Sequence, residues 1–374
     1  MQQIEGGRIS SFQVMCLLFL VRMTATTISF PFMIGHESPT DAWIGVAIGV
    51  AVSLVLLELI IQLGMKYPDM TIIQYSQVVL GRFPGKAIAF LLIWFWISDA
   101  ALTIRALGAA ITSSFMPETP ILVFILLTVL LSANAARNGI EIVGRWGELV
   151  AIGVLVSGLV LVLPYRAMNF KNLMPVLPYG LAPHIKGSLT IIAFYMRLSI
   201  AWMIIPLAHN RKEVLRYSRY AVLLSGVLIL GHAISLVTVF GSQATALAVP
   251  GFTLARQIFI GQFFERIETI PVSIWVLNAM VKVALDFWAA ATGLSQVFGL
   301  QNFQPLAYPV GALAASFSML FFESLVDLIQ FTKHTWSIYS ILLVIAIALI
   351  LHLGSIIKNS NSRTIKPGNG HSDR

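Results

Sequence analysis

Eight ionisable residues fall within strongly apolar stretches of this chain: Arg22, Asp99, Arg105, Arg197, Lys282, Asp286, Glu323 and Asp327. A charge in hydrocarbon costs at least a few kcal/mol unless it is paired or hydrated, so each of them demands a partner or a wet cavity. Four are basic and four acidic, which makes neutralisation inside the protein feasible. Lys282 and Asp286 stand one helical turn apart and can pair within their own helix. A second reading puts the Lys282 ammonium in the place of a coupling cation, bracing a broken first helix. Glu323 and Asp327 have the same spacing but like charge, so they should repel or share a proton. Asp99 and Arg105 do not share a helical face and call for different partners. Asp99, Arg197, Asp286 and Glu323 are therefore expected to act as coupling or structural charges.

Two of these residues precede a proline by the same interval. One stretch reads Arg22-Met23-Thr24-Ala25-Thr26-Thr27-Ile28-Ser29-Phe30-Pro31, the other Arg197-Leu198-Ser199-Ile200-Ala201-Trp202-Met203-Ile204-Ile205-Pro206. Proline removes a backbone donor and clashes with the preceding turn. Either it merely kinks two helices, or it breaks them and exposes backbone N–H and C=O groups at the membrane midplane. Such groups suit an amino-acid zwitterion, the N–H groups facing its carboxylate and the C=O groups its ammonium.

The elements that must carry these residues are membrane spans. Hydrophobic residues make up 57% of the 374 and charged residues 11%, too little polar surface to solvate a globule. A spanning helix needs about 20 apolar residues. Ten stretches qualify: Ser10 to Met33, Ala42 to Leu63, Lys86 to Phe115, Ile121 to Ala136, Trp146 to Leu163, Gly187 to Ala208, Val214 to Gly241, Ile270 to Leu300, Tyr308 to Phe331 and Thr335 to Ile357. They form one polytopic domain over residues 1–358, with repeat one over about 10–164 and repeat two over about 187–357. A tail, 359–374, rich in Asn, Ser, Gly and charge, is expected to be disordered.

Lys and Arg are retained on the cytoplasmic side, and with an inside N terminus fourteen of them fall in inner segments against six in outer ones. Both termini are thus expected in the cytoplasm. The net charge of +8 is met by an anionic leaflet and requires no nucleic acid. A cleaved signal peptide is not expected, because Arg22 interrupts the first apolar run and further spans follow. The lone Cys16 excludes an intrachain disulfide. The histidines lack metal-ligand spacing, no cofactor fingerprint is present, and neither GxSxG nor a P-loop occurs, so an enzyme is the least favoured class. Phe252, Ile258, Phe259 and Phe263 recur at nearly helical spacing, as expected of a helix lying over the membrane entrance.

Three motifs carry a resemblance along almost the whole chain: Asn138-Gly139-Ile140-Glu141-Ile142-Val143-Gly144-Arg145 with Glu148, Asn172-Leu173-Met174-Pro175-Val176-Leu177, and Phe252 to Trp275. In these the chain resembles the spore germination receptor B-subunit family, within the amino acid-polyamine-organocation transporter superfamily. The resemblance implies an all-α membrane protein of ten transmembrane helices, a LeuT-like 5+5 inverted repeat with broken first and sixth helices. It implies a germinant-receptor subunit that binds a small nutrient, an L-amino acid above all, in a central pocket. It also implies a larger membrane A subunit and a C-subunit lipoprotein as partners, in the inner membrane of the spore. By fold analogy the pocket takes Ala25, Thr26 and Thr27 from the first span and Trp96 and Ala100 from the third. Tyr195, Met196 and Ser199 come from the sixth, Lys282 and Ala289 from the eighth. Where many relatives have a Gly-rich break, this chain has Met23 to Ile28, so hydroxyls stand in for open backbone. A proton- or cation-coupled amino-acid transporter is the alternative reading.

Overall fold

The computed structural model describes residues 5–24, 40–160, 167–247, 250–257 and 269–364. Among the described residues the structure is helical apart from one isolated bridge that joins Ile9 to Ala208. Seven helical stretches among the described residues are long and apolar enough to cross a membrane: Trp43–Lys66, Arg82–Ser114, Ile140–Leu159, Ala182–Leu207, Arg211–Ala244, Thr269–Phe298 and Leu325–Lys358. Ser11–Met23 and Ile121–Arg137 are shorter apolar helices.

Helix α1 (Ser11–Met23) begins at a capping box in which Ser10 and Gln13 satisfy each other's backbone N–H groups. It packs against α6 (Ile140–Val160), α9 (Arg211–Phe240) and α11 (Thr269–Phe298), all reached from distant parts of the chain. Helix α2 (Trp43–Lys66) lies against α9 and α7 (Ala182–Tyr195). A Cβ on Gly49 of α2 would stand 2.5 Å from Ile191 Cβ, so only glycine lets these two helices approach so closely. The short α3 (Ile72–Leu80) folds back on α4 (Arg82–Ser114), whose main neighbour is α11.

The fourth and fifth predicted spans are separate helices, α5 (Ile121–Arg137) and α6, joined at Gly139, whose φ of +90° is open to glycine. The ninth is different from the sequence expectation. Helix α12 (Ala307–Leu320) stops well before Phe331, and the chain breaks over residues 321–324. Ser324 then caps a new helix, α13 (Leu325–Gln330), which runs through a π-helical turn (Phe331–Trp336) into α14 (Ser337–Thr364). The Ser324 and Asp327 side chains make a capping box here, a short start signal set between two apolar runs. Helix α14 continues to Thr364, into the segment expected to be a disordered tail.

The sixth span is interrupted, but away from its proline. Helix α7 gives way at Met196 to a 3₁₀ segment (Met196–Ile200), resumes as α8 (Ala201–Ile204), and ends in a second 3₁₀ turn around Pro206. Pro206 thus closes the span, while the departure from α geometry at mid-span surrounds Arg197. The end of this span pairs with the beginning of the first. Ile9 N–H donates to the Leu207 carbonyl at 3.0 Å, and His209 N–H donates to the Ile9 carbonyl at 2.9 Å.

Candidate functional site

Four of the charged residues read from the sequence converge where α4, α11 and the interrupted sixth span meet. Asp99 pairs with Arg197 Nη2 through one oxygen (2.7 Å) and with Lys282 Nζ through the other (2.6 Å). Lys282 also meets Asp286 at 2.6 Å and donates to the Asp99 carbonyl (3.0 Å) and Thr103 Oγ1 (2.9 Å). None of these four charged residues is more than 3% exposed. The intrahelical Lys282 and Asp286 pair is therefore real, and it is one edge of a network that spans three elements. Among the described residues the groups that Lys282 holds lie on α4 and on α11 itself, while the first-helix break it was expected to brace lies outside the described residues. A long ammonium on α11 reaches the neighbour against which that helix packs most extensively.

The end of the first helix is braced by other α11 residues. The Trp275 indole N–H donates to the Thr24 carbonyl at 2.9 Å. Asn278, with its amide oriented to satisfy both ends, donates to Thr24 Oγ1 (3.2 Å) and the Leu20 carbonyl (3.1 Å), and accepts from Thr24 N–H (3.2 Å). Helix termini leave backbone groups without internal partners, and these two side chains supply them. A crevice lined by Met23, Val154, Phe252, Ile274, Trp275 and Asn278 lies at this point. Phe252, on α10 (Pro250–Ala255), stacks edge-on against Trp275 and Phe115. Ile258, Phe259 and Phe263 of the expected entrance helix lie outside the described residues.

Arg22, one residue from the end of α1, is wholly buried. Its guanidinium lies over the Tyr195 ring at 4.6 Å and the Phe194 ring at 5.7 Å. Arg197 lies over the same Phe194 ring at 4.8 Å. Tyr195 thus offers its ring to Arg22, while its hydroxyl engages Ser225 Oγ at 3.0 Å.

The predicted pocket residues divide accordingly. Ala25, Thr26 and Thr27 lie outside the described residues. Trp96, Ala100, Tyr195, Met196, Ser199, Lys282 and Ala289 are all buried. Trp96 stands one turn before Asp99 on α4, and Ser199 lies in the same 3₁₀ segment as Arg197. The Trp96 indole N–H and the Ser199 hydroxyl make no hydrogen bond among the described residues. Ala289 is two turns beyond Lys282 on α11. Glu323 is exposed in the break after α12, where its main-chain carbonyl accepts from Arg105 at 2.8 Å; among the described residues its carboxylate makes no ion pair with the cluster. Asp327, read as a repelling partner of Glu323, caps α13 through Ser324 instead.

Sequence reasoning passed over Glu5. Its carboxylate accepts from Ile140 N–H at 2.6 Å and from the Trp288 indole, and lies against Gly139. Burial pushes the Glu5 carboxyl above its ordinary value, the two hydrogen bonds oppose this, and nearby Glu141 adds to it. The adjoining contacts use motif residues: Arg8 N–H donates to Glu141 at 2.9 Å, and the Gln13 amide donates to Glu148 at 3.2 Å. The run Asn138 to Glu148 therefore docks the chain entering the first span. A polar N terminus ahead of an apolar run carries no local signal of such a role. Asn172 of the second motif donates to the Thr238 carbonyl at 3.0 Å, tying that connection to the end of α9.

Comparison with known proteins agrees with this architecture. Spore germination protein KB of Bacillus subtilis (strain 168) is 27% identical over 316 residues, covering 82% of this chain and 83% of that protein. Spore germination protein A2 of the same organism is 23% identical over 302 residues, covering 79% and 82%. Among solved structures, a sodium-coupled sialic acid symporter in a substrate-bound outward-open state aligns with a TM-score of 0.67 at 13% identity, covering 93% of this chain and 79% of that one. A nucleobase-cation-symport-1 family transporter in a closed conformation aligns with a TM-score of 0.62 at 12% identity, covering 90% and 75%. These likenesses give the chain a LeuT-like transporter fold. The family described as spore germination protein matches residues 8–327, and the chain belongs to that family.

Proposed function

We propose that this chain is the nutrient-sensing membrane subunit of a spore germinant receptor. It binds a small nutrient, an L-amino acid above all, between the first, third, sixth and eighth spans, and signals to a larger membrane A subunit and a C-subunit lipoprotein. Trp96, Ala100, Tyr195, Met196, Ser199, Lys282 and Ala289, with Ala25, Thr26 and Thr27, line the pocket. The protein resides in the inner membrane of the spore with both termini in the cytoplasm, as the distribution of Lys and Arg favours.

The observation that carries the sensing reading is the Lys282 ammonium held between Asp99 and Asp286. A carrier driven by an ion gradient binds and releases a mobile cation among such oxygens. Here the cation is tethered to the chain. A second reading, a cation- or proton-coupled amino-acid transporter, is favoured by the fold alone. Uptake of labelled L-amino acids into proteoliposomes, with equilibrium binding on the same preparation, separates the two. Saturable binding without accumulation is expected. Concentrative uptake driven by a proton or sodium gradient would establish the transporter instead.

A further inference from the structure

Among the described residues, the buried charges of the site do not balance. Arg22, Arg197 and Lys282 face two carboxylates, Asp99 and Asp286, and both carboxylates are already engaged. Among the described residues Arg22 has no ion pair; its polar neighbour, besides Arg197, is the neutral Tyr195 side chain, and none of its three guanidinium nitrogens reaches an acceptor in good hydrogen-bond geometry. Arg197 spends only Nη2 on Asp99, leaving Nε and Nη1 without acceptors. The two guanidiniums lie over one ring, that of Phe194, beside the end of α1 and the 3₁₀ interruption of the sixth span. Ring faces attract a cation but accept no in-plane N–H, so they leave the forked donors of an arginine unused. A fully buried charge without a counter-ion is costly, and buried donors are nearly always satisfied.

We propose that Arg22, assisted by Arg197, receives the carboxylate of the nutrient. This rests on the sensing pocket argued above and names the group its ligand must carry. A carboxylate matches the planar fork of a guanidinium in a bidentate manner and brings the one negative charge that the cluster lacks. Recognition of the acid end by a side chain also accounts for a first span with no Gly-rich opening at Met23 to Ile28. Amides, esters and sugars, which bring no negative charge, are excluded. Tyr195 and Phe194 hold Arg22 in place until the ligand arrives.

The test uses the purified full-length chain in nanodiscs, with methanesulfonate as the background salt. Thermal shift and equilibrium binding are measured with the L-amino acids, their carboxamides, propionate and lactate, glucose, and sodium chloride. At least one carboxylate is expected to bind the wild type while its carboxamide does not. Arg22→Gln should weaken that binding on the order of a hundredfold, and Arg22→Lys should restore part of it. In the absence of ligand, Arg22→Gln should melt no lower than the wild type, because it removes a buried charge that lacks a counter-ion. A lower melting point would mean that the guanidinium is structural, and would overturn the proposal. Equal binding of a carboxylate by wild type and Arg22→Gln would also overturn it while leaving the sensing pocket intact. An Arg22-dependent response to chloride matching that to the carboxylates would make this an inorganic-anion site instead. Binding that needs Arg22 but accompanies concentrative uptake would keep the carboxylate assignment and remove the sensing reading. No response of the wild type to any probe would overturn both.

Discussion

At Lys282 four oxygens converge on one ammonium: a carboxylate oxygen each from Asp99 and Asp286, the Asp99 carbonyl and the Thr103 hydroxyl. Breaking a buried ion pair by removing one partner typically costs about 3–5 kcal/mol, because the other charge is left without compensation. Lys282→Met is therefore expected to lower the melting temperature sharply, as read by intrinsic fluorescence in detergent. Lys282→Met combined with Asp286→Leu should recover much of the loss, since Asp99 retains Arg197. If the single variant melts with the wild type, the two carboxylates are protonated and the network is not an ionic one.

Helix α1 is held at both ends by residues distant in sequence. At its C-terminal end, Trp275→Phe keeps the ring but removes the donor to the Thr24 carbonyl. A hydrogen bond of this kind contributes about 1 kcal/mol net. The variant should stay folded, with faster hydrogen exchange confined to the last turn of α1; unchanged exchange there would dismiss the brace. The contact between α2 and α7 depends on Gly49, where any side chain meets Ile191. Gly49→Val should cost about 1–3 kcal/mol through overpacking. Ile191→Ala in the same chain should return part of that stability, because it removes the atoms in the way. Failure of the rescue in a thermal melt would place the cost in α2 itself.

For the whole molecule, the entry of the first span is latched to the exit of the sixth and to the start of α6, with Glu5 buried at the latch. A transporter fold that changes state at this face must release these contacts together. The Glu5 carboxyl titrates above its ordinary value when folded, so its protonated form favours the latched state. That contribution is fully present below the ordinary carboxyl pKa of about 4.3 and is lost as pH rises through the folded value. Protection of the amides around Ile9 and Ile140, corrected for intrinsic exchange, is expected to fall as pH is raised across that window. Glu5→Gln, which keeps an acceptor for Ile140 but cannot ionise, should flatten the dependence. A wild-type profile identical to that of the variant would dismiss Glu5 as the titrating group.

Hydrophobic runs of membrane length and the need to neutralise buried charge are properties of composition and local order. The spans and the list of charged residues inside them could therefore be read from the chain alone. The intrahelical Lys282 and Asp286 pair was legible for the same reason, being a matter of one helical turn. Which cation meets Asp99 was not legible, because Arg197 reaches it from the 3₁₀ interruption of the sixth span, nearly a hundred residues on. The break after Leu320 was hidden because its capping signal, Ser324 with Asp327, lies with Glu323 in a short polar interruption between two apolar runs, which reads equally as charges within one continuous span. The placing of Glu5 under Trp288, and of Trp275 and Asn278 at the end of α1, depends on contacts between opposite ends of the chain. Periodicity specifies which face a helix buries; only the tertiary structure decides which distant helix covers that face, and so which charges remain unpaired at Arg22.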